Sequence, residues 1–276
     1  MNAALARLLP VLVLLSAATG NLGAAPAKVP EKVFRDVTYA THDGNFLKLD
    51  LYVPADRQSP PIVLWFHGGG WRYGDKRFNF RIRELTSYGI AVATVQYRLS
   101  WSAKWPAQRD DCLAALSWMR AHGKEYGVNP ARLGLSGESA GGHLAALLGV
   151  LNGKQRIKAV VAMYPPTDME RLAWRYRKDW YFGPVAQLFG GPYEKSRDEA
   201  IKASPIHYVS RRSPPFLFIH GDHDILVPVD HSIRMHQQLL KAGAESHLII
   251  MHDYIHGFRL DDDRLKAVAE FFQAHL

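Results

Sequence analysis

Gly137-Glu138-Ser139-Ala140-Gly141 places a serine between two glycines, directly after a short β-rich run and directly before an Ala- and Leu-rich one. A serine on a tight strand-to-helix turn holds its hydroxyl clear above the sheet with a helix N-terminus beneath it. The glycines let that helix pack closely on the strand, and Gly142 adds further room. Such a serine is suited to attack an acyl carbon. Upstream, His67-Gly68-Gly69-Gly70-Trp71 follows an apolar run. Three consecutive glycines are entropically costly in an ordinary loop and make sense where backbone amides must converge on a developing oxyanion. The amides of Gly69, Gly70 and Ala140 are expected to form that hole, where loss of one donor costs about 3 kcal/mol in the barrier. His67, at the strand end, reads as a loop-ordering residue and not as a base.

A serine hydroxyl needs a base to take its proton, and the base needs a carboxylate to fix its tautomer. Two later loops offer both: His220-Gly221-Asp222-His223-Asp224-Ile225-Leu226-Val227-Pro228, and His252 to Phe258 around His256-Gly257. Asp222 directly follows the turn glycine, where it can cap the turn, whereas Asp224 is set deeper in the loop and is the expected acid. His252 ends a strand and is expected to pack there. His256 sits in a loop before a glycine and is the expected base. The reading is therefore a Ser139, Asp224, His256 triad needing no cofactor.

Other conspicuous residues receive structural readings. Arg98 with Asp110 or Asp111 is expected as an ion pair beside the sheet. Asp168 either lines the pocket mouth or caps the next segment. His143 is expected to pack on a helix surface, and Cys112 in the core. His223, His231 and His236 form no recognisable metal-ligand set, so no metal site is expected.

The elements that must position these groups alternate along the chain, short β-rich runs with longer helical ones, which is the pattern of an α/β fold: a mostly parallel sheet with helices on both faces. Val33 to Tyr39 and Phe46 to Tyr52 alternate apolar with polar around His42-Asp43-Gly44-Asn45 and predict an edge hairpin with one wet face. Six continuously apolar runs predict strands buried on both faces: Ile62 to Phe66, Ala91 to Val95, Arg132 to Leu135, Ala159 to Met163, Phe216 to Ile219 and His247 to Met251. Helices are predicted over Ala107 to His122, Ala140 to Leu151, Pro228 to Lys241 and Asp261 to His275. The stretch 166–212 is too long for a simple crossover and reads as a cap insert. Its Trp174 and Trp180, with Trp71 and Tyr73 beyond the glycine loop, are expected to bind substrate.

At 276 residues, 47% hydrophobic and 22% charged, the chain fits one domain with a full core. The net charge of +8 is not concentrated in long Lys/Arg runs, so nucleic acid is not expected as a partner. Residues 1–27 join a basic start, an apolar Leu8 to Leu15 and a small-residue stretch with Ala25-Pro26-Ala27. These are the parts of a signal peptide, with an apolar run too short for a stable membrane anchor. Secreted or periplasmic location of residues 28–276 is the expectation, and a single cysteine excludes an internal disulfide.

His-Gly-Gly-Gly-Trp, Gly-Glu-Ser-Ala-Gly-Gly, the His220 to Pro228 loop and His-Gly-Phe, in that order, resemble the esterase and lipase branch of the α/β-hydrolase superfamily. The chain is similar to the hormone-sensitive-lipase-like carboxylesterases and to compact bacterial esterases grouped with feruloyl and acetyl-xylan esterases. The resemblance runs from about Val33 to the C-terminus and implies the same triad and the same oxyanion loop. Tyr254-Ile255 before His256, where that branch usually has small residues, and the aromatic stretch Trp174 to Phe182 depart from it, both where substrate would bind. The expected activity is a carboxylesterase acting through an acyl-enzyme on short-chain or aromatic acyl esters, with small-molecule or polysaccharide-linked substrates. An amide-cleaving relative, such as an arylformamidase or an exopeptidase, and a catalytically silent hydrolase-like binding protein are the alternatives.

Overall fold

The apolar runs pair into one eight-stranded sheet in a computed structural model that describes residues 28–78, 81–151, 156–179 and 183–276. In chain order the strands are β1 (Glu31–His42), β2 (Asn45–Pro54), β3 (Pro61–Phe66), β4 (Ala91–Val95), β5 (Asn129–Glu138), β6 (Val160–Met163), β7 (Phe216–Gly221) and β8 (Ser246–Met251). Across the sheet they run β1-β2-β4-β3-β5-β6-β7-β8, with β2 antiparallel to both neighbours and every pair from β4 to β8 parallel. This is the mostly parallel α/β sheet anticipated from the alternation, and the α/β-hydrolase architecture that the motif resemblance implies.

Alternate residues of each central strand face opposite sides. Leu64, Phe66, Leu135, Val160 and Phe218 pack against α1 (Ala107–His122), α2 (Ala140–Val150) and α6 (Asp230–Lys241). Val63, Trp65, Val161, Leu217 and Ile219 pack against a 3-10 turn at Ile82–Tyr88 and α7 (Asp262–His275). Both faces are thus covered, which is why these runs lack a polar alternation. Cys112 lies in the first of these cores, where burial pushes its thiol up.

Two expectations need correction. The hairpin does not keep one wet face along its length: from Leu49 onward β2 is buried on both sides. The loop after β3 crosses it, and Lys76 reaches down to Asp50 at 2.5 Å while Arg35 approaches the other carboxylate oxygen at 3.2 Å. Conversely β8 is not buried on both faces, because it is the far edge of the sheet and leaves Ile250 exposed.

The chain leaves β3 toward β4 on one side and returns to lay β5 on the other. This reversal opens a crevice beyond the carboxyl ends of β3 and β5, the place where open α/β sheets bind ligands. Between β6 and β7, the stretch read as a cap holds α3 (Met169–Arg175), α4 (Pro184–Phe189), α5 (Tyr193–Lys202) and 3-10 turns at Arg177–Asp179 and Pro205–Tyr208. Its helices reach the loops at the strand ends: Tyr176 donates to the Leu226 carbonyl at 2.8 Å and Arg175 to that of Ile225 at 3.2 Å. Residues 1–27, expected to form a signal peptide, and Trp180 lie outside the described residues. Among the described residues no helix is long and apolar enough to cross a membrane.

Candidate active site

Ser139 sits between β5 and α2 with φ 49 and ψ −118, a backbone conformation few non-glycine residues adopt. It is held there by its amide, which donates to the Met163 carbonyl at 2.9 Å, and by α2, which starts at once. The flanking glycines are required by contact: a Cβ on Gly141 would overlap the Phe66 and His67 carbonyls, and one on Gly137 would overlap Gly141. The first turn of α2 is therefore pressed onto the end of β3, which brings the glycine loop beside the serine.

That loop turns back on itself, with the Tyr73 amide donating to the Gly69 carbonyl at 2.9 Å. Gly69 has φ 106 and a Cβ there would strike the Tyr73 carbonyl, so only glycine fits. Gly70 follows at φ 59, facing Pro184 at the start of α4, and Ala140 is the first residue of α2. His67 is fully buried, stacked on Tyr97 with centroids 4.3 Å apart, and its Nδ1 lies 2.8 Å from the Gly68 carbonyl. Burial lowers its imidazole to about 4, so it stays neutral and orders the loop.

From the far side His256 reaches Ser139. The serine hydroxyl donates to Nε2 at 2.9 Å, and Nδ1–H donates to Asp224 Oδ2 at 2.6 Å. Asp224 Oδ1 accepts from the amides of Leu226 at 2.9 Å and Val227 at 2.8 Å. Burial would raise this carboxyl, but hydrogen bonds from His220 and His256, the His256 charge and the Val227 amide together hold it well below the usual carboxylate range. An ionised acid, a base in one tautomer and a hydroxyl in reach form a continuous chain that can move a proton off Ser139. Asp222 and His252 are brought together as a separate exposed pair at 2.8 Å, on the outer edge of these loops. His252 is 82% exposed, so it does not pack at its strand end as expected.

Of the aromatic residues expected to meet substrate, Trp71 is displaced from that role: it is 2% exposed, and its indole N–H points inward to Nδ1 of His143. His143 is itself fully buried instead of lying on a helix surface, because the insert closes over α2 and the Ala203 carbonyl accepts from Nε2 at 2.7 Å. Tyr73 is half exposed beside Trp101, with ring centroids 6.5 Å apart. Trp174 is half exposed, edge-on to Tyr193 and covered by the Arg177 guanidinium at 3.8 Å. Asp168 caps α3 through the Arg171 amide and pairs with Arg234 at 2.8 Å. Arg98 pairs with Asp111 at 2.7 Å. Among the described residues there is no cluster of His, Cys, Asp or Glu able to hold a metal ion.

Sequence reasoning passed over several residues. His220 at the end of β7 lies 3.2 Å from Asp224 Oδ2 and 2.8 Å from the Val227 carbonyl, with Ser232 on its other nitrogen at 2.7 Å. Trp101 is 64% exposed beside Tyr73, and Ile225 and Leu226 stand exposed directly after Asp224, as does Ile255, noted above, before His256. For His220, Ile225 and Leu226 the position around Asp224 was the available signal.

A family model described as BD-FAE matches residues 49–239. The chain belongs to the BD-FAE family. The BD-FAE match holds the glycine loop, Ser139 and Asp224, and His256 follows it. Esterase LipC of Mycobacterium tuberculosis is 28% identical over 218 residues, 73% of this chain and 54% of its own length. The chain spans about half the length of the curated relatives it matches. Among solved structures, a truncated carbohydrate esterase from gut microbiota superposes with a TM-score of 0.79 at 27% identity, covering 91% of this chain and 98% of that one. An esterase of the Planctomycetes species Thermogutta terrifontis superposes with a TM-score of 0.72 at 25% identity, covering 88% and 91%. BD-FAE membership and these neighbours agree with the esterase branch that the motifs resemble.

Proposed function

We propose that this chain is a serine carboxylesterase. The observation that carries the reading is the unbroken hydrogen-bond chain from Ser139 through His256 to Asp224, set on a turn whose backbone is held in a sparsely populated conformation. The esterases among its relatives and structural neighbours support it. Ser139 Oγ adds to the ester carbonyl carbon as its proton passes to His256 Nε2. The carbonyl oxygen takes the negative charge and faces the amides of Gly69, Gly70 and Ala140. Collapse breaks the bond to the alcohol, which leaves with the proton from His256. Water then repeats the sequence on the acyl-enzyme, freeing the acid and restoring Ser139.

The favoured substrates are short-chain or aromatic acyl esters, including those carried on polysaccharide. The carbohydrate esterase among the structural neighbours supports a sugar alcohol, and the exposed rings of Tyr73 and Trp101 offer flat surfaces for stacking. Residues 1–27 fit an export signal, which supports a secreted or periplasmic mature chain. Turnover of nitrophenyl acetate beside an aminoacyl anilide tests the reaction class. The ester is expected to be cleaved by the parent and not by Ser139→Ala, and an anilide cleaved in preference to every ester would contradict the reading.

A further inference from the structure

We infer that Glu138 is a positioning residue whose buried carboxylate ties the oxyanion loop to the aromatic wall of the catalytic base. This rests on the ester-hydrolase reading of Ser139. Glu138 ends β5 directly before the nucleophile, and only 5% of it is exposed. Its Oε1 accepts from the amide of Gly68, at the root of the glycine loop, at 3.3 Å. Its Oε2 accepts a short hydrogen bond from the Tyr164 hydroxyl. The Tyr164 ring in turn stands edge-on to His256, with centroids 4.8 Å apart and planes at 67°, and edge-on to Phe258 at the same separation.

One carboxylate therefore spans both sides of Ser139, the loop that must meet the oxyanion and the ring against which the imidazole rests. Tyr164 has φ 37, outside the ordinary range for an aromatic residue. Its amide donates to the Ile219 carbonyl at 2.8 Å and its hydroxyl is fixed by Glu138, so the ring is pinned at both ends. A buried carboxylate is costly unless its oxygens are bonded, and nothing in the proton chain of Ser139, His256 and Asp224 requires one here. Burial raises the Glu138 carboxyl, and it stands at about 7 even with the Tyr164 hydroxyl, the Gly68 amide and the His256 charge pulling the other way. Tyr97, whose hydroxyl donates to the His67 carbonyl at 2.8 Å, stays protonated, raised by burial.

Glutamine can keep both contacts, accepting from Gly68 through its carbonyl oxygen and donating to the Tyr164 oxygen, whereas alanine keeps neither. The test is steady-state kinetics of the full chain on nitrophenyl acetate for Glu138→Ala, Glu138→Gln and Tyr164→Phe, with Ser139→Ala as reference. It is paired with binding of a trifluoromethyl ketone, which reports the oxyanion adduct. Glu138→Ala is expected to lower kcat about a hundredfold with KM within about threefold, and to weaken the ketone by a similar factor. Glu138→Gln is expected to keep at least about a tenth of parental kcat, and Tyr164→Phe to lose about tenfold. A Glu138→Ala enzyme within about threefold of parental kcat, a loss confined to KM, or a Glu138→Gln enzyme as impaired as Glu138→Ala overturns the inference. If Glu138→Ala does not fold, the near-isosteric Tyr164→Phe decides, and parental kcat in it overturns the inference. Parental turnover by Ser139→Ala would instead show that the serine reading itself has failed.

Discussion

Trp71 and His143, from the glycine loop and from α2, share a buried hydrogen bond in which the indole N–H donates to Nδ1 across 3.2 Å. His143 passes its own Nε2–H to the Ala203 carbonyl, so a single neutral tautomer satisfies both contacts and joins the loop, α2 and the insert. Burial lowers this imidazole to about 4, consistent with that neutral state. Trp71→Phe leaves Nδ1 without its donor in a closed interior, at a cost of about 1–3 kcal/mol. Urea unfolding is expected to show that loss, while the ratio of kcat/KM for acetate and ferulate esters stays within about twofold. A shifted ratio at unchanged stability would return Trp71 to the substrate cleft.

Two carboxylate–histidine pairs stand near each other, Asp224 with His256 and Asp222 with His252. Only the first reaches Ser139. Asp224→Asn is expected to lower kcat by several orders of magnitude, because the wrong tautomer of the base is then favoured. Asp222→Asn and His252→Ala, acting on an exposed pair, are expected to leave kcat within about threefold. Parallel kinetics on nitrophenyl acetate checks this, and an Asp222→Asn more damaging than Asp224→Asn would reassign the acid.

Stability is expected to fall on acidification between about pH 6.5 and 4. Burial lowers His67, His143 and His231 each to about 4, so the unfolded chain binds protons there that the native chain does not, and stability rises with pH across that window. Glu138 opposes this: its carboxyl is raised to about 7, so it loses stability as pH rises from its unfolded value. Three proton-binding groups against one leave acid lability dominant. Urea midpoints measured from pH 4 to 7 are expected to climb, and more shallowly in His143→Gln. A midpoint independent of pH in this range would contradict the buried neutral histidines.

The exposed rings of Tyr73 and Trp101 adjoin the glycine loop, whereas the Trp174 ring is already covered by Arg177. Tyr73→Ala and Trp101→Ala are expected to lower kcat/KM for a ferulate ester about three- to tenfold more than for acetate, the range of one aromatic pair. Trp174→Ala is expected to do less. Equal losses on both esters would remove the stacking role.

The strands β3 to β7 were legible because burial on both faces writes a continuous apolar run, and α1 and α7 because their apolar spacing is local. Ser139 was legible because the glycines its turn demands stand two residues to either side of it, even though Gly141 needs to be bare to clear Phe66 and His67, far away in the chain. Trp71 was misread because its burial depends on His143, seventy-two positions away, and on an insert whose packing has no local period. Glu138 and His220 were passed over because a carboxylate beside a nucleophile and a histidine at a strand end look the same in sequence whether or not a partner waits across the sheet.

The most direct measurement is intact-protein and peptide mass spectrometry after reaction with an aryl ester whose acyl group hydrolyses slowly. A single acyl adduct on the peptide containing Ser139 is expected, absent in Ser139→Ala and strongly slowed in His256→Ala. Ester turnover by the parent with the adduct on another residue, or undiminished turnover in Ser139→Ala, would contradict nucleophilic catalysis by Ser139.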